Sequence, residues 1–398
     1  MNAAAFLARY EALADVLPGD AGVRAAAAAR FGRTGLPGVR EEAWRYTNLR
    51  ALGETAFAGP ADVGAAVPAV AGPRLVFVNG QFRAGLSVLP VGVSVRTGAP
   101  AFATLARDDD KMVTLNTMLA GDGAAIEVAS GIDGGTLTLV SVGTDGVAFH
   151  PRHSVRLGAG ASLILIERAT GTGAYFHNPV LSAEIGADAT LVHLRLQQEA
   201  IAAFHCSTVY ADVAERGTYD SFALTVGGRL ARMEVRARLS GPKAAAHLNA
   251  AQMLRGIQHA DFTTVVSHDA PNTASRQTVK NVLDGHARGV FQGKIEVARI
   301  AQKTDGYQMN QTLLLSRDAE IDCKPQLEIY ADDVKCSHGA TVGALDADQM
   351  FYLRSRGIPE ADATSMLVRA FLTEALDPIK HEDGRRAMED AVAEWWDK

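Results

Sequence analysis

The spacing of apolar residues predicts helix at the start of the chain. Four of them recur at three- and four-residue intervals, which places them on one helical face: Phe6, Tyr10, Leu13 and Leu17. The helical pattern runs from residue 3 to about residue 31, and Pro18 and Gly19 interrupt it. A stretch rich in Ala, Gly, Val and Pro follows at residues 56–73 and is typical of a linker. We therefore assign residues 1–73 to an N-terminal helical region and linker.

From residue 74 to residue 344 the pattern changes to short apolar runs that alternate with polar residues. Such runs, bounded by Gly, Asp and Asn, are typical of strands. In residues 232–239 every second residue is charged. We expect a strand there with one packed face and one solvated face, because successive side chains of a strand point to opposite faces.

Turns of small residues recur within this strand region. Similar segments at residues 157–163, 185–191, 213–219 and 239–243 begin 28, 28 and 26 residues apart. Units of strand, turn and strand at such an interval indicate a β-solenoid, in which stacking buries a core that no unit has alone. A β-sandwich with regular hairpins is the weaker alternative. We assign residues 74–344 to the solenoid.

The helical period returns after residue 344. Asp346 or Asp348 can cap a helix that ends near Arg356, and Pro359 then opens a second helix. The second helix carries apolar residues spaced by one, three and four positions: Ala363, Met366, Leu367, Ala370 and Phe371. We assign residues 345–398 to a C-terminal helical domain.

Composition excludes several classes of function. The chain has 39 Lys and Arg against 45 Asp and Glu, a net charge of −6, which disfavours dedicated nucleic-acid binding. Cys206, Cys323 and Cys336 are too far apart for a CxxC motif and too few for a disulfide framework, which fits a reducing compartment. The sequence shows neither a signal peptide nor an apolar run of membrane-spanning length, so we expect a cytoplasmic protein and no membrane partner.

Motifs for nucleotide and hydrolytic chemistry are missing from the sequence. Residues 289–294 are one residue short of a phosphate-binding loop and lack the Ser or Thr that holds magnesium. The sequence contains no GxSxG, HExxH or protein-kinase motif. We expect no nucleotide to be bound by this chain itself and no ATP hydrolysis.

The segment Cys336-Ser337-His338 offers metal-ligand chemistry. On a strand, residues two apart share a face, so the thiol and the imidazole project together, and both suit iron or zinc. Cys323 can approach on a neighbouring strand as a weaker third ligand. Two ligands make half of a site, so another chain would have to complete it.

Five segments of the chain closely resemble one known family. They are residues 302–306 (QKTDG), 310–316 (NQTLLLS), 324–343 around Cys336, 351–358 (FYLRSRGI) and 42–47 (EAWRYT). In these segments the sequence is similar to the SufD family of iron–sulfur cluster assembly proteins. Gly339 has the SufD form, at a position where SufB relatives carry glutamate, whereas Cys323 departs from the usual pattern.

The resemblance implies a fold and a function. The fold is mainly β, a right-handed parallel β-helix between N-terminal and C-terminal helical regions. The function is that of a non-enzymatic scaffold subunit in the SUF assembly complex. Such a subunit forms a heterodimer with the SufB paralogue across the last β-helix turns, roughly residues 315–343. A nascent Fe–S cluster, transient and shared with SufB, is built at that interface.

The resemblance also suggests roles for single residues. His338 is the first candidate ligand of the cluster site, Cys336 the second, and Cys323 a weak third. The C-terminal helices dock the SufC ATPase, with Met366 and Phe371 as candidate anchors. Two other interpretations of the chain stay open at this point, namely a β-helix carbohydrate-active enzyme and a plain β-solenoid interaction protein in which Cys336 and His338 are merely buried.

Overall fold

The computed structural model describes residues 3–60, 64–102 and 110–396. The protein is mainly β, with 42% strand and 22% helix. The strands are β1 (Arg74–Val78), β2 (Gln81–Phe82), β3 (Ser94–Thr97), β4 (Ala124–Val128), β5 (Asp133–Gly143), β6 (Ala148–Phe149), β7 (Arg152–Leu157), β8 (Ser162–Gly171), β9 (Phe176–His177), β10 (Val180–Ile185), β11 (Thr190–Gln197), β12 (Phe204–Val213), β13 (Thr218–Thr225), β14 (Leu230–Leu239), β15 (Ala245–Leu254), β16 (His259–His268), β17 (Ala274–Leu283), β18 (Arg288–Val297), β19 (Asp305–Leu314), β20 (Glu320–Ile329) and β21 (Lys335–Gly343).

Helices lie mostly at the two ends of the chain. The α-helices are α1 (Ala3–Leu13), α2 (Ala21–Thr34), α3 (Arg50–Glu54), α4 (Lys111–Leu119), α5 (Ala347–Ser355), α6 (Glu360–Leu376) and α7 (Glu382–Trp396). Two short 3₁₀ helices occupy Glu42–Trp44 and Ala84–Leu86. Within the described ranges, no helix is long and apolar enough to cross a bilayer.

From β10 onward consecutive strands alternate between two sheets, and this alternation makes the solenoid. One sheet has the order β2-β1-β5-β8-β11-β13-β15-β17-β19-β21, and the other has the path β20-β18-β16-β14-β12-β10-β7-β4-β3. From β10 onward each strand pairs in parallel with the strand two places further along the chain. The result is a parallel β-solenoid of about eight turns, which confirms the solenoid and not the sandwich.

The predicted small-residue turns stack on one another at one corner of the solenoid. Gly160, Asp188, Arg216 and Lys243 all adopt positive φ, between 56° and 69°. The N–H of each donates to a carbonyl of the next turn, at 2.8–3.1 Å. The hydrogen-bond ladder of the sheets therefore continues through the corners. The sequence repeat follows from this stacking, since the turn must have the same backbone conformation in each coil.

The helices cover the outer faces of the two sheets. At the N-terminal side, Phe6, Phe31 and Trp44 form one apolar cluster with Phe176 and Phe204 of the second sheet. At the C-terminal side, α6 and α7 pack on the outer face of the first sheet in another apolar cluster. Its buried members include Leu196, Phe222, Met253, Val282, Leu372, Met388 and Trp395.

The N-terminal helical stretch divides at the proline and glycine that interrupt it in the sequence. Gly19 adopts a φ of 95°, and Asp20 caps α2 by accepting from Gly22 and Val23. The strand region from 74 to 344 also contains a helix that the sequence analysis did not predict, α4. Asp110 caps this helix by accepting from the second and third helical N–H groups.

The charged face of residues 232–239 was expected to be solvated, but only its end at Arg238 is exposed, and its start is buried. Arg232 is 1% exposed and Glu234 is 4% exposed. Arg232 donates to Asp261 and Glu234, and its guanidinium lies 4.1 Å from the ring centre of Trp44. The alternation correctly indicated a strand, but it could not show that the N-terminal region covers that strand's outer face.

We predict that this covered charge network is required for stability. Arg232→Ala would leave Asp261 buried without its cation and Glu234 paired with Arg236 alone, which costs about 3–5 kcal/mol in the free energy of unfolding. Arg238→Ala on the same face of β14 is the control, because the Arg238 side chain is 60% exposed and its ion pairs are solvated. Urea unfolding followed by circular dichroism measures both. Equal effects of the two substitutions would contradict the prediction.

Candidate functional site

The C-terminal end of the solenoid is open. Strands β20 and β21 each pair with a neighbour on one side only, β20 with β18 and β21 with β19. Neither strand contains a fully buried residue, in contrast to the strands of the preceding turns. Unpaired edges and partly exposed interior positions therefore meet at this end.

Cys336 and His338 lie on the interior-facing side of β21. In the strand register Cys336 is opposite Gly306 and His338 is opposite Gln308, and both partners are buried in the solenoid. A Cβ built at Gly306 would lie 3.3 Å from the Cys336 sulfur, so the thiol lies over that glycine. The sequence prediction that the thiol and imidazole share a face is thus confirmed by the register.

The two side chains differ in exposure. Cys336 is half-buried and packs beside an apolar cluster that contains Ile295 and Val297. Burial raises the pKa of the Cys336 thiol, so the protonated form prevails at neutral pH in the isolated chain. His338 is exposed at the open end. A Cβ at Gly339 would lie 2.7 Å from Met309 Cε, the end of a flexible side chain that would have to move.

Cys323 lies on the opposite sheet, in β20. Its register partner is Phe291, and its side chain packs against the central core of the solenoid. Burial raises the pKa of the Cys323 thiol to about 11. The structure does not gather Cys323, Cys336 and His338 into one set. Among the described residues, three potential metal-ligating side chains do come together at another place, namely His177, Glu199 and His205. One ligand atom of each lies within 4.8 Å of the others.

A ladder of amide side chains fills the interior behind the open end. Gln252 Nε2 donates to Asn281 Oδ1 at 3.0 Å, and Asn281 Nδ2 donates to Asn310 Oδ1 at 2.8 Å. Gln308, opposite His338, is fully buried and donates to a backbone carbonyl of β20. Sequence reasoning missed this polar interior. The signal was Gln and Asn at alternate positions of β17 and β19.

The two residues expected to anchor a partner on the C-terminal helices occupy different environments. Met366 is 49% exposed on α6. Phe371 is half-buried against the cluster under α6 and α7, and Lys280 Nζ lies 4.5 Å from its ring centre. Lys280 also pairs with Glu374 of the same helix. Phe371 thus attaches α6 to the solenoid.

Helix α5 carries exposed aromatic residues that sequence reasoning did not select. Phe351 is 74% exposed and Tyr352 is 57% exposed, and α5 has no buried residue. They lie in the segment 351–358 that carries part of the family resemblance. Helix α6, which carries the exposed Met366, packs against α5, and we call these three exposed residues together the α5–α6 surface.

Comparison with known proteins gives a consistent result. A family model for the SUF system FeS cluster assembly SufBD core domain matches residues 139–371. The chain is 35% identical over 376 residues to the iron–sulfur cluster assembly protein SufD of Escherichia coli, an alignment that covers 88% of this chain and 87% of that protein. It is 32% identical over 392 residues to an iron–sulfur cluster assembly SufBD family protein of Synechocystis, covering 89% and 86%.

A plant protein is similar over a shorter part. The chain is 34% identical over 241 residues to the chloroplastic protein ABCI7 of Arabidopsis thaliana, covering 59% of this chain and 50% of that protein. The matched family domain contains Cys323, Cys336, His338 and most of α6. With the family model across more than half of the sequence and the bacterial relative across most of it, the chain belongs to the SufD family of iron–sulfur cluster assembly proteins.

Proposed function

We propose that this chain is a scaffold subunit on which a nascent iron–sulfur cluster is built at an interface with SufB. The observation that carries the proposal is the open end of the solenoid, where Cys336 and His338 lie on the interior-facing side of the last strand, whose outer edge is unpaired. A thiolate and an imidazole are suitable iron ligands, but two of them leave a coordination sphere incomplete. A second solenoid end would supply the remaining ligands and cover the exposed edges.

His338 is the first ligand in this proposal and Cys336 the second. Because His338 is exposed, it can reach a metal without rearrangement of the fold. Cys336 must lose its proton to ligate iron, and a nearby metal cation favours that loss. Cys323 contributes least, since its thiol is directed into the core. The cluster is cargo of the complex and not a resident cofactor of this chain.

Membership in an assembly family favours this function over the two alternatives. A carbohydrate-active solenoid needs acidic side chains along an accessible face, and a plain interaction protein needs no ligands at its end. A thiol and an imidazole that share a face at the open end are suitable ligands for an assembly function, and neither alternative requires them. The chain itself supplies no nucleotide motif, so in this proposal ATP hydrolysis comes from SufC.

We predict that removal of the imidazole abolishes cluster loading without disrupting the complex. In His338→Ala, association with SufB and SufC persists because an exposed side chain contributes little to folding, but iron and sulfide in the purified complex fall to background. Ser337→Ala, whose side chain is exposed on the other face of β21, is the matched control and keeps normal loading. Normal iron and sulfide in an intact His338→Ala complex would remove His338 from the site.

We predict that pairing with SufB uses the free edge of β21. The Lys335 N–H donates to the backbone carbonyl of Thr304 in the adjacent coil. Every second residue of β21, counted from Lys335, therefore points its N–H toward β19. The residues between them, including Ala340, point their N–H groups toward the open edge. Ala340→Pro removes a donor from that edge and leaves the β19 ladder intact.

Sedimentation with purified SufB should therefore show weaker association for Ala340→Pro. Ala347→Pro is the control, because proline is tolerated at the first position of a helix, here α5. Unchanged SufB binding by a folded Ala340→Pro chain would exclude edge pairing at this strand.

We predict that SufC binds the α5–α6 surface. Met366→Asp and Phe351→Asp each place a charge in the centre of an apolar contact, which should weaken SufC binding at least roughly tenfold, since anchors of this kind cost 2 kcal/mol or more when lost. Ile257→Asp is the control, an apolar residue 75% exposed in a solenoid turn. Calorimetric titration with SufC measures each variant. Equal affinity of all three variants would exclude this surface.

A further inference from the structure

A second cluster of metal-ligating side chains lies in the early turns of the solenoid. His177 of β9 and His205 of β12 are register partners, with ring centroids 4.9 Å apart. His205 points to the face of β12 that carries core residue Val209, while the adjacent Cys206 packs outward with the N-terminal helices. Glu199, from the loop between β11 and β12, turns its carboxylate toward both imidazoles.

The donor atoms converge in a buried space. His177 Nδ1 lies 3.0 Å from Glu199 Oε1, and His205 Nδ1 lies 2.7 Å from Glu199 Oε2. The side chains are 3%, 5% and 0% exposed for His177, His205 and Glu199. One ligand atom from each lies within 4.8 Å of the others. Such a spacing lets two nitrogens and one oxygen bind the same ion.

Hydrogen bonding among these residues is incomplete. His177 Nε2 is buried without a hydrogen-bond partner, and His205 Nδ1 and the Tyr175 hydroxyl approach Glu199 without a hydrogen bond of ideal geometry. In the described part of the chain, no Lys or Arg nitrogen lies within ion-pair distance of Glu199. A buried carboxylate and buried polar atoms without partners are costly unless a cation joins them.

A neighbouring amide orients the carboxylate of this cluster. Gln197 Nε2 donates to Glu199 Oε2 at 3.0 Å and its Oε1 accepts from Gly227, which orients the carboxylate.

We propose that His177, Glu199 and His205 bind one divalent first-row transition ion, Fe²⁺ or Zn²⁺, as a two-histidine, one-carboxylate site. Sites with this ligand set and a free coordination position are typical of both ions. The ion joins β9, β12 and the loop between β11 and β12. It is separate from the open end of the solenoid, since β14, β16 and β18 lie between β12 and β20. The proposal does not depend on the function assigned to Cys336 and His338.

The test uses the full-length chain carrying Cys336→Ala and His338→Ala, so that the open end contributes no ligands. After chelator treatment the protein is titrated with Co²⁺ as a spectroscopic probe, with Zn²⁺ as competitor. We expect saturable uptake of about one Co²⁺ with visible d–d absorption, a raised melting temperature and displacement by Zn²⁺. Gln197→Ala should weaken binding roughly 10–100-fold through loss of carboxylate orientation.

Further variants separate this site from general metal uptake. Glu199→Gln and His205→Gln should abolish the absorption and the rise in melting temperature. His193→Gln is the matched control, a buried histidine 2.7 Å from Glu167 and outside the cluster, and it should bind normally. The proposal is overturned if the parent chain takes up no Co²⁺ even when refolded with the metal. It is equally overturned if a folded Glu199→Gln chain binds as the parent does.

Discussion

Coverage of each coil by the next is the constraint on which this structure depends. In a parallel solenoid the backbone groups and interior side chains of one coil are satisfied by its two neighbours. The stacked turns at Gly160, Asp188, Arg216 and Lys243 show how strictly the register is kept, since their N–H groups bond from coil to coil. The constraint also means that the first and last coils lack a neighbour on one side. The last coil, β20 and β21, is left open in this chain.

The outer faces of the sheets are subject to a second constraint. Each part of an outer face is either solvated or covered by helices. The N-terminal helices cover part of one sheet and the C-terminal helices cover part of the other. Beneath the N-terminal helices, Arg232 pairs with Glu234 and Asp261 and lies over the ring of Trp44. Arg236 and Arg238, further along the same strand, lie progressively closer to solvent.

Polar side chains occur inside several coils of the solenoid, and two groups of them differ in chemistry. Near the open end, amide side chains hydrogen-bond along the Gln252, Asn281 and Asn310 ladder, although Gln252 Oε1 and Asn310 Nδ2 are without a partner. In the early coils His177, Glu199 and His205 bring ionisable groups together, and His177 Nε2 is without a partner. Because the interior is otherwise mostly apolar, a buried polar group can find a partner only within the same or the adjacent coil.

The sequence by itself determined the architecture of this protein. Strand alternation, the recurring small-residue turns and the helical periods at both ends specify a solenoid between helical regions, because each depends on residues close together in the chain. The pairing of Cys336 with His338 on one face followed from strand geometry in the same way. The family resemblance came from continuous segments.

Only the tertiary structure decided what covers each surface. The alternating charges of β14 give the same sequence pattern whether the charged face of the strand is solvated or is covered by Trp44. The spacing of apolar residues in α6 could not show that Phe371 packs against the solenoid while Met366 is exposed to solvent. His177, Glu199 and His205 are too far apart in sequence to form a motif, and they meet because β9 and β12 are stacked in register. Burial and convergence depend on contacts between residues distant in the chain, and local periodicity contains no information about those contacts.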